Sequence, residues 1–107
     1  MTTQLPAPVQ AALDAANANN TEAFLACFPP GGVVDDWGRE FRGHDRIREW
    51  SDREFIGVKV SLRVTEVSIE GDDVVVTAQV GGDGFNGPSH FTFHVAGAQV
   101  DRMTIRA

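Results

Sequence analysis

The spacing of the apolar residues changes period near Val58, and a fold must satisfy both halves. Before that point Leu5, Val9, Ala12, Leu13 and Ala16 recur at helical intervals, as do Ile47, Trp50, Ser51 and Phe55. After it the period is two. Val58, Val60, Leu62 and Val64 share one face of a strand, and Lys59, Ser61, Arg63 and Thr65 share the other. Helices gathered ahead of strands specify an α+β domain, with the helices covering one face of a sheet.

The punctuation residues divide the helical half into three. Pro8 suits a first helical turn, so the first helix is predicted from about Pro8 to Asn19, broken by Asn17-Ala18-Asn19-Asn20. Asn20 or Thr21 then caps a short second helix that buries Phe24, Leu25 and Phe28. Pro29-Pro30-Gly31-Gly32 ends it. The third helix is predicted from about Asp45 to Glu54. In the strand half, Val67 and Ile69 fall out of phase with Leu62 and Val64, which predicts a bulge near Thr65-Glu66 and a bent sheet. Glu70-Gly71-Asp72 and Ala96-Gly97-Ala98 are turns. They bound strands that include Val74 to Val80, Phe91 to Val95 and Val100 to Arg106.

Between the second and third helices lies Val33 to Trp50, VVDDWGREFRGHDRIREW. A short strand runs into Asp35-Asp36, turns at Trp37-Gly38 and continues as a second strand, Arg39 to Arg42. Gly43 then opens the amphipathic third helix. This order sets a carboxylate where sheet and helix converge.

With 107 residues the chain is expected to be one domain, residues 1–107, with about residues 1–7 as a flexible N-terminus. A net charge of −6 argues against nucleic acid or an anionic membrane as partner, since phosphate binding needs a clustered basic surface. The single Cys27 cannot form an internal disulfide and is read as a packing residue, which fits a cytoplasmic setting. MTTQLPAPVQ lacks the basic flank and apolar run of a signal peptide.

The segments AANANNTEAFLACF, VVDDWG with GHDRIREW, and PSHFTFHVAG followed by VDRMTI stand in an order that resembles the nuclear transport factor 2-like superfamily. Within it the chain is similar to the SnoaL-like polyketide cyclases and the ketosteroid isomerases. The resemblance implies three N-terminal helices packed on a strongly curved antiparallel sheet. That is a cone of cystatin-like topology, with an apolar pocket inside and a homodimer formed through the outer sheet face. It also implies a small apolar molecule as the partner.

In the ketosteroid isomerases an Asp at the position of Asp36 is the general base. A carboxylate suits that role when a dry pocket makes it a stronger base. The competing reading is that Asp36 caps the Trp37-Gly38 turn. Asp35, on the opposite face of its strand, is expected to be solvated. The isomerase oxyanion hole, a Tyr with a protonated Asp, has no counterpart, because the chain contains no Tyr. The resemblance puts Ala12 at the Tyr position, Ser89 at that of the protonated acid and Ser51 at that of a supporting Tyr. Losing one such donor costs roughly 100- to 1,000-fold in rate, so steroid isomerase activity is not expected. The expected ligand-lining set is Phe24, Phe28, Trp37, Trp50, Ser51, Ser89, Phe91, Phe93 and Met103.

No metal or cofactor site is expected. His90 and His94 lie four apart on one strand, about 13 Å between Cα atoms, too far for one zinc, and His44 is placed in solvent. Gly81-Gly82-Asp83-Gly84 lacks the Lys-Ser/Thr pair of a phosphate loop. Asp101 faces the pocket in one register and solvent in the register one residue away, the outward one being favoured. Lys59, Arg63, Arg102 and Arg106 are expected to cluster on the outer face and to pair with Asp and Glu at the dimer seam rather than bind phosphate. Three functions follow: a lyase, isomerase or cyclase using Asp36 as base, a non-catalytic pocket for a hydrophobic ligand, or a dimeric interaction module.

Overall fold

The computed structural model describes residues 5–107. The flexible segment expected over about residues 1–7 lies outside the described residues for positions 1–4. Helix α1 spans Ala7–Asn17 and α2 spans Thr21–Ala26. Strands β1 (Val33–Asp36) and β2 (Arg39–Arg42) form a hairpin, and α3 follows at His44–Glu54. After a 3-10 turn at Ile56–Val58 come β3 (Ser61–Glu70), β4 (Asp73–Gly81), β5 (Gly87–Ala96) and β6 (Gln99–Arg106). The three helices pack on one six-stranded sheet of order β2-β1-β6-β5-β4-β3.

The asparagine run between α1 and α2 does three jobs. Asn19 adopts a left-handed φ of 55°. The N–H groups of Asn19 and Asn20 donate back to Ala16 (3.1 Å) and Ala15 (2.9 Å), closing the helix end. Asn20 Oδ1 accepts the Ala23 N–H at 3.1 Å and caps α2. Asn17 exchanges two hydrogen bonds with the backbone of Leu62, at 3.0 and 2.7 Å, and so pins α1 to β3.

The predicted core forms. Phe24, Phe28, Ile47, Trp50, Leu62, Phe91 and Phe93 are all buried between helices and sheet. Phe24 meets Phe28 edge-on at 5.2 Å between centroids, and Trp50 stacks on Phe55 at 4.8 Å. Each such side chain contributes about 1.5–3 kcal/mol by leaving water. Cys27 is buried with them, and burial pushes its thiol pKa up, so it behaves as an apolar residue.

Thr65 is the bulge. Val64 pairs with Ala78 and Glu66 with Thr77, so Thr65 is the extra residue, and its Oγ1 donates to the Thr77 carbonyl at 3.2 Å. A second bulge falls at Asp101, where the pairing passes from Val95–Val100 to His94–Arg102. Both bend the sheet.

Two expectations change. The antiparallel pattern holds for four pairings, but β1 runs parallel to β6, with Val34 opposite Met103 and Asp36 opposite Ile105. A parallel neighbour needs a long crossover, and here most of the chain supplies it. The strand predicted from Val58 begins instead at Ser61. Val58 closes the 3-10 turn, and Lys59 reverses the chain at a left-handed φ of 57°.

Candidate functional site

The site is built where the β1–β2 hairpin meets the end of α3. Trp37 and Gly38 form the hairpin turn with φ of 55° and 90°, the mirror-image backbone that matches strand twist. Asp35, not Asp36, holds this turn: its Oδ1 accepts the Gly38 N–H at 2.7 Å.

The two neighbouring carboxylates have opposite surroundings. Asp35 is not solvated as expected; it is 7% exposed. Arg102 reaches its Oδ2 at 3.0 Å, Arg106 reaches Oδ1 at 3.0 Å, and Arg102 also binds Glu40 at 2.6 Å. The Arg106 hydrogen bond, joined by the Gly38 N–H and Arg102 and opposed by burial, holds the Asp35 pKa below the usual carboxylate value. Arg102 and Arg106 thus pair with acids of this chain's own β1–β2 hairpin, Asp35 and Glu40, whereas the expected partners were acids at a dimer seam.

Asp36 points to the other face. Among the described residues, both donors to its side chain reach Oδ2: Trp50 Nε1 at 3.0 Å and Arg39 Nη2 at 2.7 Å. Arg39 also grips Glu54 with two bonds, at 3.0 and 2.8 Å, and lies 5.6 Å over the Phe41 ring. The Arg39 hydrogen bond lowers the Glu54 pKa against the opposing effect of burial.

These groups form one edge of a cavity of about 370 Å3. Asp36, Arg39, Arg53 and Glu54 make its polar edge. Phe55, Val58, Val60, Val80, Phe91 and Ile105 make the apolar wall, with Trp50 and Ser89 between the two. Trp37 and Phe85 stand at the rim, 60% and 57% exposed.

Of the expected site residues, the cavity collects Asp36, Trp37, Trp50, Ser89 and Phe91. Phe24, Phe28, Ser51, Phe93 and Met103 do not line it; they are packed in the core. The register explains part of this. Phe91 pairs with Ile105 at the cavity, whereas Phe93 pairs with Met103 one step along the same face. Ser51 Oγ accepts the Ile56 N–H at 3.4 Å and so serves the 3-10 turn.

Sequence reasoning missed Arg39, Arg53, Glu54 and Phe85. Phe85 had a visible signal, as a lone aromatic in a glycine-rich loop.

The histidines stand apart from the cavity. His44 is half-buried rather than solvated, with Nε2 donating to the Phe28 carbonyl at 2.8 Å. His90 is exposed, and His94 Nδ1 meets Asp73 at 2.8 Å, with Asp101 4.0 Å from Nε2. Asp101 therefore turns outward, because its bulge breaks the alternation that would have grouped it with Met103. Among the described residues, no three His, Cys, Asp or Glu side chains are placed to hold a metal ion. No described helix is long and apolar enough to cross a membrane.

The sequence model of the SnoaL-like domain matches residues 9–106. No protein of curated function matches the sequence. Among solved structures, a candidate polyketide cyclase from Sinorhizobium meliloti is 26% identical, with a TM-score of 0.83 and 95% of each chain covered. A Catenulispora acidiphila protein of ketosteroid isomerase-like fold, solved with trimethylamine, is 23% identical. Its TM-score is 0.81, over 97% of this chain and 87% of that one. A computationally designed 17-OHP binder shares the fold at 18% identity and a TM-score of 0.81, over 98% of this chain and 92% of the design.

Proposed function

The chain belongs to the SnoaL-like family, and from that premise we propose that its cavity binds a small, net-neutral, mainly apolar molecule through Asp36. One observation carries this reading: among the described residues, both donors to the Asp36 side chain converge on Oδ2 at the cavity edge. Oδ1 is then left to accept a hydrogen bond from a ligand, while the carboxylate is held still. The charges at the edge cancel, Asp36 and Glu54 against Arg39 and Arg53, which favours a neutral occupant. The volume lies in the lower part of the range of roughly 300–1,000 Å3 for small-molecule sites. The 17-OHP named with the designed binder of the same fold is a neutral, mainly apolar molecule, which is compatible with such a use of the cone.

The test uses the indole N–H of Trp50, which binds the same carboxylate oxygen and reports on it by NMR. Neutral cyclic alcohols and phenols should shift that signal, and Asp36→Ala should weaken their binding. An unmoved Trp50 signal across the panel would reject the reading.

A second reading is catalytic. Asp36 and Ser89 border the same cavity, so a carbonyl held by the Ser89 hydroxyl would set its neighbouring C–H toward the carboxylate. The reaction would be proton transfer beside a carbonyl, of the isomerase, lyase or cyclase type. Deuterium uptake into a bound ketone in heavy water, lost in Asp36→Asn, would support it. Uptake undiminished in that variant would reject Asp36 as the base. The outer sheet face, with Thr77, Gln79, His90, Thr92 and His94, is proposed as the homodimer surface. Sedimentation at the mass of one chain at high concentration would refute that.

A further inference from the structure

Two aromatic side chains stand in solvent where local chemistry argues against them. Trp37 holds the first central position of the β1–β2 turn, at φ 55°. Turns of this hand favour Asn-Gly, because a left-handed backbone presses Cβ toward a carbonyl oxygen and short polar side chains tolerate that best. A large indole there carries backbone strain, and 60% of it is exposed as well. Strained residues of this kind cluster at active sites and ligand clamps.

Phe85 is the counterpart, in the loop between β4 and β5. The loop is fastened along its length. Asn86 Nδ2 donates to the carbonyls of Gly82 at 2.9 Å and Gly84 at 3.1 Å, and the Asp83 N–H donates to Val58 at 2.8 Å. A Cβ on Gly82 would meet the Lys59 carbonyl at 2.7 Å, and one on Gly84 would meet Val58 Cγ2 at 2.9 Å. Glycine at both positions lets the loop lie against the 3-10 turn. The result is a tied loop that presents an uncovered phenyl ring at the cavity rim.

We infer that Trp37 and Phe85 are aromatic lips that stack on the ligand, and that the ligand is a flat, conjugated ring system carrying one hydrogen-bond donor, such as a phenolic hydroxyl, directed at Asp36. This rests on the cavity reading above. Inside the rim the apolar wall of Phe55, Phe91 and Ile105 receives the ring. A hydroxyl on such a ring supplies the donor that Asp36 accepts, and the lips cover the part of the ring that projects from the cavity.

The experiment compares 2-naphthol with its saturated counterpart, 2-decalol, which keeps the fused skeleton and the hydroxyl but is neither flat nor conjugated. Binding is followed through the Trp50 indole N–H in the native chain, Trp37→Asn and Phe85→Ser, with thermal unfolding to verify each fold. Asn suits the turn, so Trp37→Asn keeps the hairpin. 2-Naphthol should bind about five- to tenfold more tightly than 2-decalol, and each variant should erase most of that difference. Equal affinities, unchanged in both variants, would overturn the lips while leaving the cavity reading in place. No response of Trp50 to either compound would overturn both. A dimer that dissociates in the variants, with 2-naphthol binding intact, would assign the lips to a second copy of the chain and also overturn the inference.

Discussion

Trp50 Nε1 donates to Asp36 Oδ2 across 3.0 Å, and this bond joins the last turns of α3 to the end of β1. It ties helix to sheet at the cavity edge and sets the rotamer of the carboxylate. Trp50→Phe keeps most of the stacking on Phe55 but removes the donor. A hydrogen bond to a charged group is worth about 1.5–3 kcal/mol. Arg39 remains on the same oxygen, so the expected loss is at the low end of that range, read by urea unfolding. A change under a few tenths would mean that the bond contributes nothing.

Asp35 governs acid sensitivity. Its pKa is lowered in the fold, chiefly by Arg106. A lowered carboxylate contributes stability that is present above the unfolded value of about 3.9 and is lost as pH falls through the folded value. Stability should therefore drop as pH falls below about 4. Asp35→Asn should be less stable at neutral pH by about 2 kcal/mol, discounted from the buried-pair figure because both arginines are partly exposed. Its stability should also fall less steeply in acid. Parallel pH curves for the two proteins would contradict the assignment.

What the chain discloses by itself is local. The bulge at Thr65 was readable because Leu62 and Val67 cannot share a face without one, and the inner stripe of α3 was readable from Ile47, Trp50 and Ser51. Long-range pairing was not. Asp35 reads as a surface residue until Arg102 and Arg106, 67 and 71 residues later, arrive beside it on β6. The parallel docking of β1 on β6 has the same origin, since alternation assigns faces and not neighbours. Depth was hidden too: Phe91 and Phe93 look alike in sequence, and only the first lines the cavity.

His94 is expected to titrate above the ordinary imidazole value. The Asp73 hydrogen bond raises its pKa, with Asp101 and Asp72 adding to the effect. Whatever stability this cluster supplies is fully present below about pH 6.5, the unfolded value, and is lost as pH rises through the folded one. An NMR titration of the imidazole should show the raised midpoint, and Asp73→Asn should move it down. An unmoved midpoint would assign the shift to Asp101 and Asp72.

Gly57 is predicted to tolerate no side chain. A Cβ there would overlap the Asp52 carbonyl of α3. Gly57→Ala must push the 3-10 turn away from the helix, and overpacking of this kind costs about 1–3 kcal/mol or more. Because Val58 lies on the cavity wall, the shift should also weaken ligand binding. Native stability in the Ala variant would show that the turn moves freely.

Trp37→Asn should separate stability from function. The left-handed conformation at φ 55° costs a Trp about 1–2 kcal/mol relative to a residue that adopts it readily, and Asn is such a residue. Removing an indole that is 60% exposed sacrifices little burial in return. The variant is therefore expected to gain about 1 kcal/mol, visible as a higher urea midpoint with an unchanged slope, while its affinity for 2-naphthol falls. A gain in stability bought with a loss of binding is what a strained residue kept for its ligand would show. If the variant is less stable than the native chain, Trp37 is held by packing and not kept against strain for a ligand.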